Sequence, residues 1–278
     1  MLLDGRETKA NLTEKLQRKI KKKKLKLKLD IIQIGKNEAS RKYIRNKEKM
    51  AADIGVTCEV HWLRSDVKES TVLKLINSLN KDKTCNGIIV QLPIPKGLDL
   101  DKIKEAIDPL KDIDGFTNTN IGNLFYNKKC LVPCTSLGIV RLLEENNIKL
   151  QGANVTIIGR SVYIGKSLFH LLVNKDATVT MCHSKTENLN AILKRSDIII
   201  CAVGKEKFLT RDMINPGVVV VDVGINFDKD GKMCGDVDFE NVEDMCRAIT
   251  PVPGGVGPMT VASVYLNLID AYEMQNKQ

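Results

Sequence analysis

The sequence predicts an α/β fold divided into two domains, on three observations. Strand-like apolar runs alternate with segments of helical period through the first half of the chain. A second set of runs begins after Gly152, and two of them, 197–203 and 217–223, are apolar almost without a break, as strands covered on both faces are. The second set opens in the order strand, turn, helix, with a glycine at each end of the turn. At 278 residues each domain has enough chain to bury its own core.

The elements follow in order. Residues 3–29 carry one amphipathic helical pattern that ends among lysines. Leu29-Asp-Ile-Ile-Gln-Ile34 reads as a strand and 35–37 as a turn. Asn37 suits the N-cap of a helix over 38–53, and Gly55 suits its end. A strand over 57–63, a helix over 70–80 and a buried strand over 87–92 complete a βαβ series, for which a parallel sheet is expected. Pro93 and Pro95 break the ladder, leaving Gln91 and Leu92 at the carboxyl end of that strand. Residues 98–127 are loop-rich with a short helix near 101–107, and a linking helix spans 133–146. A strand over 154–158, the turn 159–165, a helix over 166–173, a strand over 177–181 and the two apolar runs make a doubly wound domain. A last helix from 259 is expected to return to the first domain. The expected division is 1–132 with the helix 259–278, and 133–258.

Bulk composition narrows the classes of function. Hydrophobic residues make up 43 % and aromatics 4 %, so Ile, Val and Leu must fill the cores. No apolar run approaches the roughly 18 residues of a membrane span. No secretory pattern opens the chain, and eight scattered cysteines form no C-x-x-C pair. Reduced thiols, no metal site and a cytoplasmic setting are expected. The net charge of +9 is concentrated in Lys19-Ile-Lys-Lys-Lys-Lys-Leu-Lys-Leu-Lys28. Such a run reads first as a solvated helix end, and next as a field that attracts anionic small molecules. Nucleic-acid or membrane binding comes last, because no aromatic is interleaved with the lysines.

Glycines between a strand and the next helix let phosphate oxygens approach backbone N–H groups. The segment here, Gly159-Arg-Ser-Val-Tyr-Ile-Gly165, departs from G-x-G-x-x-G, and by spacing alone an ordinary turn explains it equally well. The next strand adds a charge pattern. Where an NAD site carries an acid for the ribose hydroxyl, this chain has Cys182-His183-Ser184-Lys185. Arg160, His183, Ser184 and Lys185 can all donate to a 2′-phosphate, which selects NADP over NAD and a Rossmann-type domain.

Ser40, Tyr43 and Lys47 fall at i, i+3 and i+7 and share one face of their helix. A solvated polar face is the plain alternative. Against it, the carboxyl ends of parallel strands are where such folds bind ligands, and Gln91 stands at one. Asp112 and Asp114 share a glycine-containing loop, where turn chemistry accounts for Asp112 better than for Asp114. Thr250-Pro-Val-Pro-Gly-Gly-Val-Gly-Pro-Met-Thr260 reads as a loop whose backbone approaches something flat.

These motifs stand in one order along the chain. Ala39-Ser-Arg-Lys-Tyr43 with Lys47 and Lys49 comes first, then Val90-Gln-Leu-Pro-Ile-Pro95, Lys111-Asp-Ile-Asp-Gly-Phe116 and Pro133-Cys-Thr135. Gly159-Arg-Ser161, Cys182-His-Ser184 and the segment 251–260 complete the set. It resembles the bifunctional methylenetetrahydrofolate dehydrogenase/cyclohydrolase family from Asp4-Gly5 nearly to the C-terminus. The resemblance implies a homodimer that oxidises 5,10-methylenetetrahydrofolate with NADP⁺ and hydrolyses the methenyl product to 10-formyltetrahydrofolate, in one cleft. Within it, Lys47 is the main catalytic group, Tyr43 lies against the folate, Gln91 hydrogen-bonds Lys47 and Asp114 grips the pterin. Ser40, Val90 and Leu92 contact the substrate, together with Pro253, Gly254, Gly255, Val256, Gly257 and Pro258. Gly159, Arg160, Ser161, Gly165, His183, Ser184 and Ile225 hold NADP.

The chain departs from the family pattern at Ser136 and Ser167, where proline is frequent, and at His170, where a smaller residue is. It departs also in its lysine run, for which attraction of a polyglutamate tail is one reading. A dehydrogenase without the hydrolytic step, and a basic RNA-associated protein on a nucleotide fold, are the alternatives.

Overall fold

In residues 1–276, which the computed structural model describes, the alternation resolves into two parallel sheets and one short antiparallel ribbon. The chain forms two compact units: Met1–Ala10 with Thr135–Thr260, called unit one, and Asn11–Cys134 with the chain from Val261 onward, called unit two.

Helix α1 (Gly5–Lys23) starts in unit one and enters unit two. It ends where Lys24 takes a left-handed backbone, four residues before the strand, so the lysine run is only partly helical. Unit two then builds β1 (Lys28–Ile34), α2 (Glu38–Ile54), β2 (Thr57–Leu63), α3 (Glu69–Lys81) and β3 (Gly87–Val90). Its sheet has the order β2-β1-β3, all parallel. Helix α4 (Leu100–Glu105) and α3 cover one face, where Ile32, Ile34, Val72, Ile76, Ile88 and Ile103 pack together. Helix α5 (Asn118–Phe125) occupies part of the stretch read as loop, capped by the Thr117 hydroxyl.

Unit one holds α6 (Cys134–Glu145, its first residue in unit two), β4 (Asn154–Ile158), α7 (Ser167–Val173), β5 (Thr178–Cys182), α8 (Leu189–Leu193), β6 (Ile198–Cys201) and β7 (Val219–Asp222). A ribbon of β8 (Asn226–Phe227) and β9 (Met233–Cys234), a short α9 (Phe239–Val242) and β10 (Ala248–Ile249) follow. Five strands run parallel in the order β10-β7-β6-β4-β5, the doubly wound arrangement. Helix α10 (Val256–Gln275) closes the chain. In unit two it inserts the buried Tyr265, whose hydroxyl donates to the Lys47 carbonyl at 2.5 Å. Asn267 Nδ2 donates to the Ile113 and Val132 carbonyls at 2.8 and 2.7 Å. Residues 277–278 of the expected helix lie outside the described residues.

Two expectations need correction. Residues 1–10 belong to unit one rather than to a contiguous 1–132 domain. The Leu3 N–H donates to the Ile249 carbonyl and the Ile249 N–H to the Met1 carbonyl, which adds the N-terminus to the edge of β10. Also, the Pro-Gly segment 250–260 is a loop only as far as Gly255. Val256, Gly257 and Pro258 form the first turn of α10, where a proline lacks no needed N–H. Among the described residues, no helix is long and apolar enough to cross a membrane.

Candidate active site

In unit two the polar cluster is built on α2. Asn37 caps this helix by accepting from the Ser40 N–H at 2.9 Å, and Gly55 ends it in a left-handed conformation. The helical period then aligns Ser40, Tyr43 and Lys47. Ser40 is buried and its hydroxyl donates to the Leu92 carbonyl at 3.1 Å. Lys47 is 6 % exposed, and its ammonium donates to Gln91 Oε1 at 2.9 Å. The Gln91 Nε2 in turn donates to the Leu92 carbonyl at 3.0 Å, which turns the amide oxygen toward the lysine. One hydrogen-bonded chain thus links the face of α2 to the carboxyl end of β3. Burial raises the half-buried Tyr43 phenol above its ordinary pKa.

Val90 is different. Its side chain packs with Ile32, Val72 and Ile88 in the core, so only its backbone faces the end of the strand.

The two loop aspartates divide as their surroundings dictate. Asp112 is buried and accepts from the Thr117 N–H at 2.7 Å and from Asn120 Nδ2 at 3.0 Å, which is turn chemistry. Asp114 has no hydrogen-bond partner among the described residues. Burial pushes its carboxyl up to about 6; the positive Lys47 opposes that shift and the negative Asp112 adds to it. An uncommitted carboxyl with a lysine in its field is a group left for a ligand.

In unit one, Gly159 takes φ 136°, and a Cβ there would lie 2.4 Å from the Ala202 carbonyl oxygen. A Cβ on Gly165 would lie 2.3 Å from the Gly159 carbonyl oxygen. Only glycines close this turn. Between them Val162–Lys166 forms one π-helical turn, capped by Ser161, where the sequence had suggested a plain turn. The two serines that depart from the family pattern meet behind it. Ser136 and Ser167 are buried with their hydroxyls 2.8 Å apart, and both lie within reach of the Ile164 carbonyl, at 3.4 and 3.2 Å, so that one hydroxyl donates to the other and the second donates to the carbonyl. Arg160, Ser161 and Ser184 are exposed, and Ile225 is 52 % exposed. The Lys185 N–H donates to His183 Nδ1 at 3.2 Å, leaving Nε2 as the ring's donor. These residues fit a phosphorylated dinucleotide: a glycine cradle for the pyrophosphate, and cationic or neutral donors with no acid at the end of β5.

Pro253, Gly254 and Gly255 also belong to unit one. The Gly5 N–H donates to the Gly254 carbonyl at 2.9 Å, and the Gly255 N–H to the Pro251 carbonyl at 2.8 Å. Elsewhere in unit two, Asp30, Glu59 and His61 lie close enough to share a cation. The Lys28 ammonium already supplies one, at 3.3 Å from Asp30 and 2.8 Å from Glu59. All eight cysteines are unpaired.

Reasoning from sequence missed Asp222, Asp236 and Asn226, which the structure brings together in unit one. Their only signal was aspartates set against glycine and valine inside or beside apolar runs, where an acid is seldom buried without dedicated donors.

A parallel α/β unit with a glycine-bounded βα turn, and a second α/β unit with a lysine–glutamine pair and a free carboxyl, define a two-domain dinucleotide-dependent enzyme. Comparison with known proteins makes this specific. Residues 3–114 match the family described as tetrahydrofolate dehydrogenase/cyclohydrolase, catalytic domain, and residues 133–276 match its NAD(P)-binding domain. The chain belongs to the tetrahydrofolate dehydrogenase/cyclohydrolase family. It is 47 % identical over 278 residues to the bifunctional protein FolD of Acholeplasma laidlawii, covering 100 % of both chains. The crystal structure of the bifunctional enzyme FolD from Campylobacter jejuni is 40 % identical, with TM-score 0.95 and 99 % of each chain covered. The Trypanosoma brucei FolD, crystallised with NADP cofactor and an inhibitor, is 31 % identical with TM-score 0.92, covering 100 % of this chain and 99 % of that one.

Proposed function

We propose that Lys47, Gln91, Tyr43 and Asp114 form the folate centre of a bifunctional enzyme. It oxidises 5,10-methylenetetrahydrofolate to the 5,10-methenyl cation with NADP⁺, then hydrolyses that cation to 10-formyltetrahydrofolate. The observation that carries this reading is the buried Lys47 ammonium held on Gln91 Oε1, in the field of the Asp114 carboxyl, which has no partner among the described residues.

Gln91 takes up one of the three ammonium protons and leaves two for substrate and water. Tyr43, one helical turn before Lys47, offers a ring against which the flat folate stacks. Asp114 accepts from the donor edge of the pterin. The bound dinucleotide supplies the hydride acceptor. For that step the side chains need only position the folate carbon. Hydrolysis needs more: as water attacks the cation, Lys47 in its neutral amine form, held by Gln91, takes the proton, and it returns that proton to the ring nitrogen that leaves as the intermediate collapses to the formyl product, while the hydroxyl proton passes to bulk water. Gly159, Ser161 and Gly165 take the pyrophosphate, while Arg160, His183 and Ser184 take the 2′-phosphate. The chain acts on one-carbon tetrahydrofolate derivatives, supported by its full-length similarity to FolD proteins, and does so as a homodimer in the cytoplasm, as the family resemblance of its motifs implies. Nothing in this chemistry calls for a nucleic-acid or membrane partner.

One assay tests the reading. Purified protein given methylenetetrahydrofolate and NADP⁺ should form the methenyl product and then consume it, followed by absorbance. The kcat/KM should be about tenfold or more higher with NADP⁺ than with NAD⁺, as a charged hydrogen-bond pair allows. Lys47→Met should cut hydrolysis by about 100-fold or more, the size of a lost general acid–base group. Near wild-type hydrolysis in that variant would remove Lys47 from its role.

A further inference from the structure

Two buried aspartates of unit one carry none of the roles above. Asp222 ends β7 and is 3 % exposed; Asp236 follows β9 and is 0 % exposed. Carboxylates at that depth require dedicated donors, and here the donors are backbone N–H groups and one amide. Asp236 Oδ2 accepts from the Val203 and Gly204 N–H groups at 2.7 and 2.9 Å. Its Oδ1 accepts from the Lys205 N–H and from Asn226 Nδ2, both at 2.9 Å. Asp222 braces it from behind, accepting from the N–H groups of Gly224, Asp236 and Val237 at 2.9 Å each. Glycines make this approach possible: a Cβ on Gly235 would lie 1.8 Å from Asp222 Oδ2, and one on Gly224 2.3 Å from Asp236 Oδ1.

The donors sit in the loops at the carboxyl ends of β6 and β7. In the order β10-β7-β6-β4-β5 the winding reverses between β6 and β4, and the crevice outside that point is where an open α/β sheet takes its ligand. Gly159 after β4 and Ala202 after β6 meet there, with the Ala202 N–H donating to the Ile158 carbonyl at 2.8 Å. Asp236 grips the three residues that follow Ala202, and through Asn226 the residue that follows Ile225. One carboxylate therefore holds both loops on the β6–β7 side of the crevice.

We propose that Asp236, braced by Asp222, is a positioning residue for the dinucleotide. It pre-sets the backbone of 203–205 and 225–226, so that the cofactor binds loops already in place rather than ordering them. This rests on the assignment of the Gly159–Gly165 turn to the dinucleotide. Asp236→Asn keeps the shape but turns an NH₂ toward N–H donors, on one side of the group or the other.

The experiment compares D236N, the milder N226A, and R160A at the turn itself. NADPH affinity is read by fluorescence, and both activities by absorbance. D236N should raise the NADPH Kd and the KM for NADP⁺ about tenfold, and N226A about threefold, the range expected for hydrogen bonds to a charged group. Hydrolysis of preformed methenyltetrahydrofolate uses no dinucleotide and should stay within about twofold in both, a split that a merely destabilised fold does not produce. Equal loss of both activities with unchanged KM for NADP⁺ overturns the proposal. So does wild-type NADPH affinity in D236N and N226A while R160A binds weakly. Wild-type NADPH affinity in R160A overturns the assignment of the turn, and the positioning role with it.

Discussion

Asp112 and Asp114 stand two residues apart and do different work, because one side chain has backbone and amide donors and the other has none. With its pKa up at about 6, the folded chain holds the Asp114 proton more tightly than the unfolded chain, where the ordinary value is 3.8. The sign follows from proton linkage: this group favours folding most below the unfolded value, and that contribution is lost as pH rises through the folded one. Carbon-13 NMR of labelled aspartate should find two carboxyls titrating near 6, Asp114 and the buried Asp222, of which Asp114→Asn removes one. Asp114→Asn should raise the melting temperature more at pH 7.5 than at pH 4.5. An equal change at both pH values would mean that the carboxyl ionises as freely in the folded chain as in the unfolded one.

At the scale of elements, α2 was legible in the sequence because its information is local. An N-cap asparagine, a terminal glycine and a helical period fix both ends and the polar face. The π-helical turn of unit one was not legible. Its carbonyls lie within reach of the hydroxyls of Ser136, on another helix, and of Ser167, a pair that no short window of sequence brings together. Those hydroxyls also bond each other inside the protein, so they should be energetically coupled. Ser136→Ala and Ser167→Ala should each cost about 1 kcal/mol of unfolding free energy, the net worth of an ordinary hydrogen bond. The double variant should cost less than the sum by roughly 0.5 kcal/mol or more. Strict additivity by urea denaturation would show the pair to be incidental.

On the scale of the whole molecule, the strand runs and the glycine turn were readable from residue type and order, and the Lys47–Gln91 pairing from the family resemblance of the motifs. Hidden were features that depend on distant partners: the N-terminus added to β10, the two-residue strands, and the buried Asp222–Asp236 bracket. The lysine run also changed meaning. Lys19 and Lys23 pair with Glu273, and Lys28 pairs with Glu59. The run reaches the amino end of β1, beside a cavity of about 860 Å³ bordered by Lys26, Lys81 and Lys83, whereas Gln91 follows the carboxyl end of the parallel β3. Seven strand residues separate the two ends by ~20 Å. At physiological salt the screening length is only about 8 Å. Replacing Lys21, Lys22, Lys24 and Lys26 with glutamine should therefore change KM for both mono- and polyglutamylated substrate by less than about twofold at that salt. A selective rise for the polyglutamate would restore the tail-binding reading.

Neither unit is a continuous stretch of chain, and this sets the order in which a ribosome can complete them. Once residue 260 has cleared the exit tunnel, every strand of unit one is available. Unit two began earlier, but it still waits for the Tyr265 hydroxyl and the Asn267 amide that tie α10 to Lys47, Ile113 and Val132. The half that carries the lysine is thus the last to be finished, and a transcript that ends at codon 260 encodes the whole of unit one but leaves unit two without the chain from Val261 onward.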